Sequence, residues 1–242
     1  ENLVSVHNGD ADFGDYDNDG DLDLVLSGEN VTSTIGLREV TEFYKNHPVG
    51  TLKVDATLTV ASRVKGGSVA WGDYDGDGNS DLAVAGRDYF WNTVLQVYKN
   101  RPTGDLNIDG SFTDRRLAGR LAWIDYDNDG DLDLGASGVT ATSSYQAFVF
   151  RNEDGEITGA SDETNLTGLA GGVVAWADFD GDERSDLLLS GIDANGERAT
   201  ALYSNVGTTI TNAAPSPPQR LNPPTVTSER VMFSWGSGSD EE

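Results

Sequence analysis

One acidic nonapeptide occurs four times along the 242-residue chain, and it constrains the fold more than any other feature. Asp15-Tyr16-Asp17-Asn18-Asp19-Gly20-Asp21-Leu22-Asp23 has counterparts at 73–81, 125–133 and 178–186, at offsets of 58, 52 and 53 residues. That spacing is the period of a supersecondary unit, not of a helical heptad. More than the acidic core repeats. A glycine stands six residues before each first Asp (Gly9, Gly67, Gly119, Gly172) and another thirteen after it (Gly28, Gly86, Gly138, Gly191). An aromatic stands two before it (Phe13, Trp71, Trp123, Trp176), and an Asn follows a short apolar run at Asn46, Asn100, Asn152 and Asn205.

Each unit reads as short strands. Val69-Ala70-Trp71 enters the acidic loop, Leu82-Ala83-Val84-Ala85 leaves it, and Val94-Leu95-Gln96-Val97-Tyr98 forms a third run; an outer fourth strand is expected within 108–117. Gly, Asp, Asn and Pro punctuate these runs, and no stretch sustains a capped 3.6-residue apolar period. The expectation is an all-β chain of about four strands per unit, and such units in series suggest propeller blades.

Side-chain carboxylates at positions 1, 3, 5 and 9 of one loop repel each other when brought together, so a loop that converges them needs a cation. Oxygen donors without His or Cys select a hard ion, and several flexible carboxylates suit Ca2+ better than Mg2+, which keeps its waters. Gly20, Gly78 and Gly130 at position 6 permit the turn that lets position 7 offer its carbonyl. Position 12 is Leu26, Val84, Ala136 or Leu189, so the bidentate Glu of an EF-hand is lacking.

The pattern Asp-x-Asp-x-Asp-Gly-x-x-Asp, with its aromatic lead-in and trailing Leu and Gly, resembles the FG-GAP repeat of the VCBS family and the integrin α-subunit propeller, over residues 7–205. The resemblance implies a β-propeller whose acidic loops join the first two strands of each blade and bind Ca2+ at one face. Its side-chain ligands would be Asp15, Asp17, Asp19 and Asp23, then Asp73, Asp75, Asp77 and Asp81, then Asp125, Asp127, Asp129 and Asp133. Position 7 (Asp21, Asn79, Asp131 and Arg184) would give a carbonyl and leave its side chain free to vary. The fourth loop has Asp178, Asp180, Asp182 and Asp186, but Glu183 replaces the glycine and Arg184 sets a positive charge beside the ion. A left-handed Glu costs about 1 kcal/mol, so this loop is expected to be the weakest. Four ions would move the formal charge from -25 to -17 and tie two strands of each blade together.

Composition narrows the function classes. With 16 Lys+Arg against 41 Asp+Glu, the chain is a poor partner for phosphate backbones and anionic membrane surfaces, and no apolar run is long enough to span a bilayer. Without cysteine there are no disulfides, thiolate zinc sites or thiol nucleophiles. His7 and His47 are the only imidazoles, and no nucleophile elbow, P-loop or HExxH motif is present. Together with the absence of these motifs, the resemblance implies an extracellular or cell-surface recognition module rather than an enzyme, with a protein or glycan ligand and self-association as a further mode. A spacer or accessory role, and a polysaccharide lyase or hydrolase, are the alternatives. Candidate contact loops are 29–38, 87–92 and 139–145; Arg87, Tyr89, Phe90 and Trp91 either stack on a ligand or pack between blades.

The repeats are expected to occupy 1–212, a Pro-rich linker 213–224, and the start of a further module 225–242. The stretch 217–221 followed by 231–235 resembles the opening of a fibronectin type III or immunoglobulin-like module, which implies a longer secreted protein. Residues 3–8 either complete the last blade, closing a small ring, or belong to an upstream one.

Overall fold

The computed structural model describes residues 3–32, 36–47, 50–58, 60, 62–101, 105–109, 116–160, 166–206, 225–226 and 231–232. Strand is the only regular secondary structure among them. Each repeat forms one antiparallel sheet in simple up-and-down order. The first holds β1 (His7–Gly14), β2 (Asp23–Thr32), β3 (Gly36–Asn46) and β4 (Leu52–Val54); the second holds β5 (Lys65–Gly72), β6 (Asp81–Arg87), β7 (Thr93–Asn100) and β8 (Leu106–Ile108). The third holds β9 (Leu117–Ile124), β10 (Asp133–Thr140), β11 (Tyr145–Glu153) and β12 (Glu156–Ala160), and the fourth β13 (Ala170–Ala177), β14 (Asp186–Ile192) and β15 (Arg198–Tyr203). These all lie within the compact unit Glu1–Gly207. In the second unit, Thr208–Glu242, two-residue strands β16 (Thr225–Val226) and β17 (Val231–Met232) pair with each other. The Pro-rich stretch 213–224 lies outside the described residues.

The outer strand of the second repeat corrects the sequence reading. It lies at Leu106–Ile108, while Leu117 already opens the next sheet. A three-residue edge strand carries too little alternation to be read from its residues alone.

The repeated glycines are explained by one contact. A Cβ on Gly67 would come within 1.8 Å of the Ala85 carbonyl oxygen and 2.5 Å of the Gly86 Cα. Gly9 with Gly28, Gly119 with Gly138 and Gly172 with Gly191 repeat the arrangement, so the first two strands of every sheet touch backbone to backbone there.

Hydrophobic cores form between consecutive sheets. Val25, Phe43, Val69, Leu82 and Tyr98 join the first two; Ala83, Leu95, Leu121, Leu134 and Phe148 the next two; Ala147, Leu169, Leu187 and Leu189 the last two. The aromatic before each loop packs onto the position-2 Tyr of the preceding loop. Trp71 lies 5.8 Å from Tyr16, Trp123 5.5 Å from Tyr74 and Trp176 5.9 Å from Tyr126 between ring centroids. Phe13, which has no sheet before it, is 57% exposed, and Phe179, the last position-2 residue, is 52% exposed. First strands pack in the series β1, β5, β9, β13. Residues 3–6 lead into β1 without joining a sheet, so the ring closure that the sequence left open is not formed by the described residues.

Candidate metal centres

Position 9 opens the second strand of each sheet, and its carboxylate is the buried floor of the loop. Asp23, Asp81 and Asp133 have no solvent exposure and Asp186 has 1%. In each, Oδ1 accepts the backbone N–H of the repeated Asn, at 2.8 Å from Asn46 and 2.7 Å from Asn100, Asn152 and Asn205. Oδ2 accepts the position-2 N–H of Tyr74, Tyr126 and Phe179 at 3.2, 2.8 and 3.0 Å. Position 9 thus fastens the loop to the third strand as well as the second.

Position 1 folds the loop over this floor. The Asp15 carboxylate accepts from the Asp19 and Gly20 amides at 3.1 and 3.0 Å, and Asp125 accepts from Asp129 and Gly130 at the same distances. Asp73 accepts from Gly78 at 3.0 Å, and Asp178 from Gly181, Asp182 and Glu183 at 2.7, 3.2 and 3.1 Å. The turn needs two left-handed residues. Position 6 has φ of 89°, 87°, 99° and 68° at Gly20, Gly78, Gly130 and Glu183; position 4 has 58°, 68°, 59° and 81° at Asn18, Gly76, Asn128 and Gly181. Glu183 therefore does hold the unfavourable conformation expected of it. The need at position 4 was missed, although its residues, only Asn or Gly, were the signal.

One carboxylate oxygen from each of Asp15, Asp17 and Asp19 lies within 4.8 Å of the others, and the same holds for Asp73, Asp75 and Asp81, for Asp125, Asp127 and Asp133, and for Asp178, Asp180 and Asp186. The expected ligands Asp23, Asp77, Asp129 and Asp182 stand outside these groupings. Asp77, Asp129 and Asp182 each accept from the position-7 amide, at 2.8, 2.9 and 3.1 Å. Position-7 side chains, expected to be free to vary, are engaged in three copies. Asn79 donates to Asp77 at 2.7 Å, Asp131 accepts from the Asp154 amide at 2.7 Å, and Arg184 grips Asp182 while its Nε donates to the Asn205 carbonyl at 2.6 Å.

Sequence reasoning named Arg184 but missed three further built-in cations. The residue before the repeated Asn is Lys45, Lys99 or Arg151 in three copies and Ser204 in the fourth. Lys45 contacts Asp17; Lys99 Nζ lies 3.5 Å from Asp75 and Arg151 Nε 3.1 Å from Asp127. All three thus meet position 3. In the fourth copy the positive charge comes from Arg184 instead, against position 5.

These charges do not satisfy the loops. Buried oxygens Asp17 Oδ1, Asp23 Oδ2, Asp73 Oδ1 and Asp127 Oδ1 have no hydrogen-bond donor. Burial pushes Asp81 and Asp133 up to about 7, against the backbone amides that pull the other way, and it raises Asp23 likewise. Asp127 is also raised, by burial first and then by Asp129. Converging, partly orphaned carboxylates in an all-oxygen set can hold a hard metal ion.

Neighbouring loops are stapled by the same Asn. Asn100 Nδ2 donates to the Tyr16 carbonyl at 2.6 Å, Asn205 Nδ2 to Tyr126 at 2.7 Å, and Asn152 Nδ2 to Tyr74. Asn18 reaches Asn79 at 2.8 Å, and Asn128 reaches the Glu183 carbonyl at 3.0 Å.

A family model described as an FG-GAP-like repeat matches residues 15–84 and 73–136. The chain belongs to the FG-GAP-like repeat family. The two matches take in the first three acidic loops, and the fourth loop, between β13 and β14, lies beyond them. A comparison with curated proteins found no match.

The two imidazoles lie apart: His7 is 3.5 Å from Glu29, while His47 borders the first acidic loop, 3.8 Å from Asp19. The aromatics of 87–92 do not pack between sheets, since Tyr89, Phe90 and Trp91 are 68%, 78% and 64% exposed.

Proposed function

We propose that this FG-GAP-like chain is a calcium-stabilised β-propeller-type module of the extracellular space or cell surface, serving adhesion or the recognition of a protein or glycan, and not an enzyme. The observation that carries the calcium reading is the set of buried, donorless carboxylate oxygens in the first three loops. A bound Ca2+ would neutralise those carboxylates and draw on side chains at positions 1, 3, 5 and 9 with the position-7 carbonyl. The protein's own part is to hold them ready: position 9 is fixed by backbone amides, position 1 caps the turn, and the Lys or Arg beside position 3 moderates repulsion when no ion is bound. Because the loop joins the first two strands and its position-9 residue fastens the third, occupancy would stabilise each sheet as a unit. The propeller reading is supported by the serial packing of four similar sheets along their first strands. Recognition is supported by the exposed strand-connecting tips opposite the acidic loops.

The test is thermal unfolding after exhaustive chelation, with and without about 2 mM calcium, in the parent chain and Asp125→Ala. A calcium-dependent rise in Tm that shrinks in the variant is the expected result. No rise in either protein overturns the metal assignment.

A further inference from the structure

The repeats provide an internal control for what the fold requires of each strand connection. In the second, third and fourth sheets the second and third strands are joined by the same five-residue turn, 88–92, 140–144 and 193–197. Its first amide donates to the fifth carbonyl at 3.0, 2.8 and 2.8 Å, and its fourth amide donates to the first carbonyl at 3.0 Å in each. The fourth residue is left-handed every time, with φ of 64° at Trp91, 62° at Ser143 and 80° at Gly196. Ala-Thr-Ser fills the middle of this turn in the third sheet and Ala-Asn-Gly in the fourth. The second sheet has Tyr89-Phe90-Trp91. A bulky aromatic at φ of 64° is unfavourable, so nothing about the turn asks for it.

The tip is nonetheless rigidly held. Asp88 accepts from the Asn92 backbone at 2.8 Å and from its Nδ2 at 2.9 Å, and Arg87 Nη1 donates to the Trp91 carbonyl at 3.1 Å. The Trp91 ring lies over Lys65 Nζ at 4.2 Å, and that ammonium is itself clamped by Glu39 at 2.7 Å and Glu29 at 3.3 Å. Tyr89 and Phe90 meet edge to face at 5.3 Å. The Trp91 ring is thus held against Lys65, Tyr89 and Phe90 pack on each other in the same turn, and all three rings are open to solvent at the end of the sheet opposite the acidic loop.

We infer that this tip is a stacking platform for a neutral oligosaccharide. The inference deepens the recognition reading above and rests on it. The exposed aromatic area is roughly 300–500 Å². That falls short of the ~800 Å² each partner contributes to a stable protein interface and matches a ligand of a few sugar rings. Anionic ligands are disfavoured, because Lys65 is neutralised by two glutamates and the chain carries -25. The same charge opposes anionic membrane surfaces. Aromatic faces take the C–H faces of a sugar, while the remaining guanidinium N–H groups of Arg87 and the amide of Asn92 are polar partners for its hydroxyls.

The experiment compares the parent chain with Tyr89→Ala/Phe90→Asn/Trp91→Gly, which installs the middle of the fourth sheet's turn and so preserves the fold. Both are applied in about 2 mM calcium to a printed array of neutral and acidic oligosaccharides, and the calcium shift of Tm is measured on the same preparations. The expected result is binding of at least one neutral class by the parent chain, weakened at least tenfold in the variant, with Tm retained. Absence of neutral binding by a protein that keeps its calcium shift overturns the platform alone. Binding unchanged in the variant overturns it too, as does a preference for phosphatidylcholine vesicles or for a second copy of the chain that the variant abolishes. A lost calcium shift with platform binding intact would instead count against the metal reading.

Discussion

Asn152→Ala separates the role of the repeated Asn within its own sheet from its role between sheets. Asn152 is fully buried; its backbone N–H would still reach Asp133, but its side chain donates to the Tyr74 carbonyl of the preceding loop and to the Leu132 carbonyl at 3.1 Å. Alanine removes both bonds and strands two carbonyl oxygens, one of them between two sheets. Leaving a buried polar group unpaired costs about 1–3 kcal/mol, so the sum is on the order of 3 kcal/mol. Asn46 is the built-in comparison. With no sheet before it, its side chain instead accepts from the Gly50 and Thr51 amides at 2.8 and 3.2 Å, in a turn open to water. Asn46→Ala should cost about 1 kcal/mol. For a domain of this size 1 kcal/mol moves Tm by about 2–4 °C, which puts Asn152→Ala roughly 6–12 °C below the parent chain and Asn46→Ala only about 2–4 °C below it. Differential scanning calorimetry on chelated protein reads both. Equal losses would refute the idea that this Asn staples consecutive repeats.

Replacing Glu183→Gly relieves the left-handed Glu at φ of 68° and should stabilise by about 1 kcal/mol, raising chelated Tm by about 2–4 °C and tightening calcium in the fourth loop, read by isothermal titration. Lys99→Met removes the ammonium 3.5 Å from Asp75, so it should lower the Tm of chelated protein and enlarge the calcium-induced rise; a fall in both states alike would count against the counter-ion role. The pH dependence of chelated protein follows from Asp81 and Asp133, pushed up to about 7 by burial. Between about pH 4 and 7 the folded state then binds more protons than the unfolded chain, so chelated protein should lose stability as pH rises through that window. The calcium-induced rise in Tm should grow across the same window, because the ion and the protons compete for these carboxylates; a pH-independent chelated Tm would contradict the assignment.

Much of this protein follows from its sequence. The spacing of Asp15, Asp17, Asp19, Gly20 and Asp23 and its three echoes determine that the chain folds as repeated strand–acidic loop–strand units, because carboxylates in that density need a turn and a charge partner. The short apolar runs punctuated by Gly, Asp, Asn and Pro, with no sustained 3.6-residue period, determine that the units are sheets. Other features were decided only when distant residues met. Gly67 and Gly86 are separate signals along the chain, and only pairing of the first two strands shows them to be one contact. Lys45, Lys99 and Arg151 look like ordinary surface cations until the third strand sets them beside position 3. Position 9 read as one ligand among four, yet burial and the Asn amides make it the floor of each loop. Trp91 was ambiguous between core and surface, and the turn shared with Ser143 and Gly196 places it in solvent. Local spacing fixes which backbone turns can form. Burial, and therefore the cost of charge, is fixed only by what packs alongside.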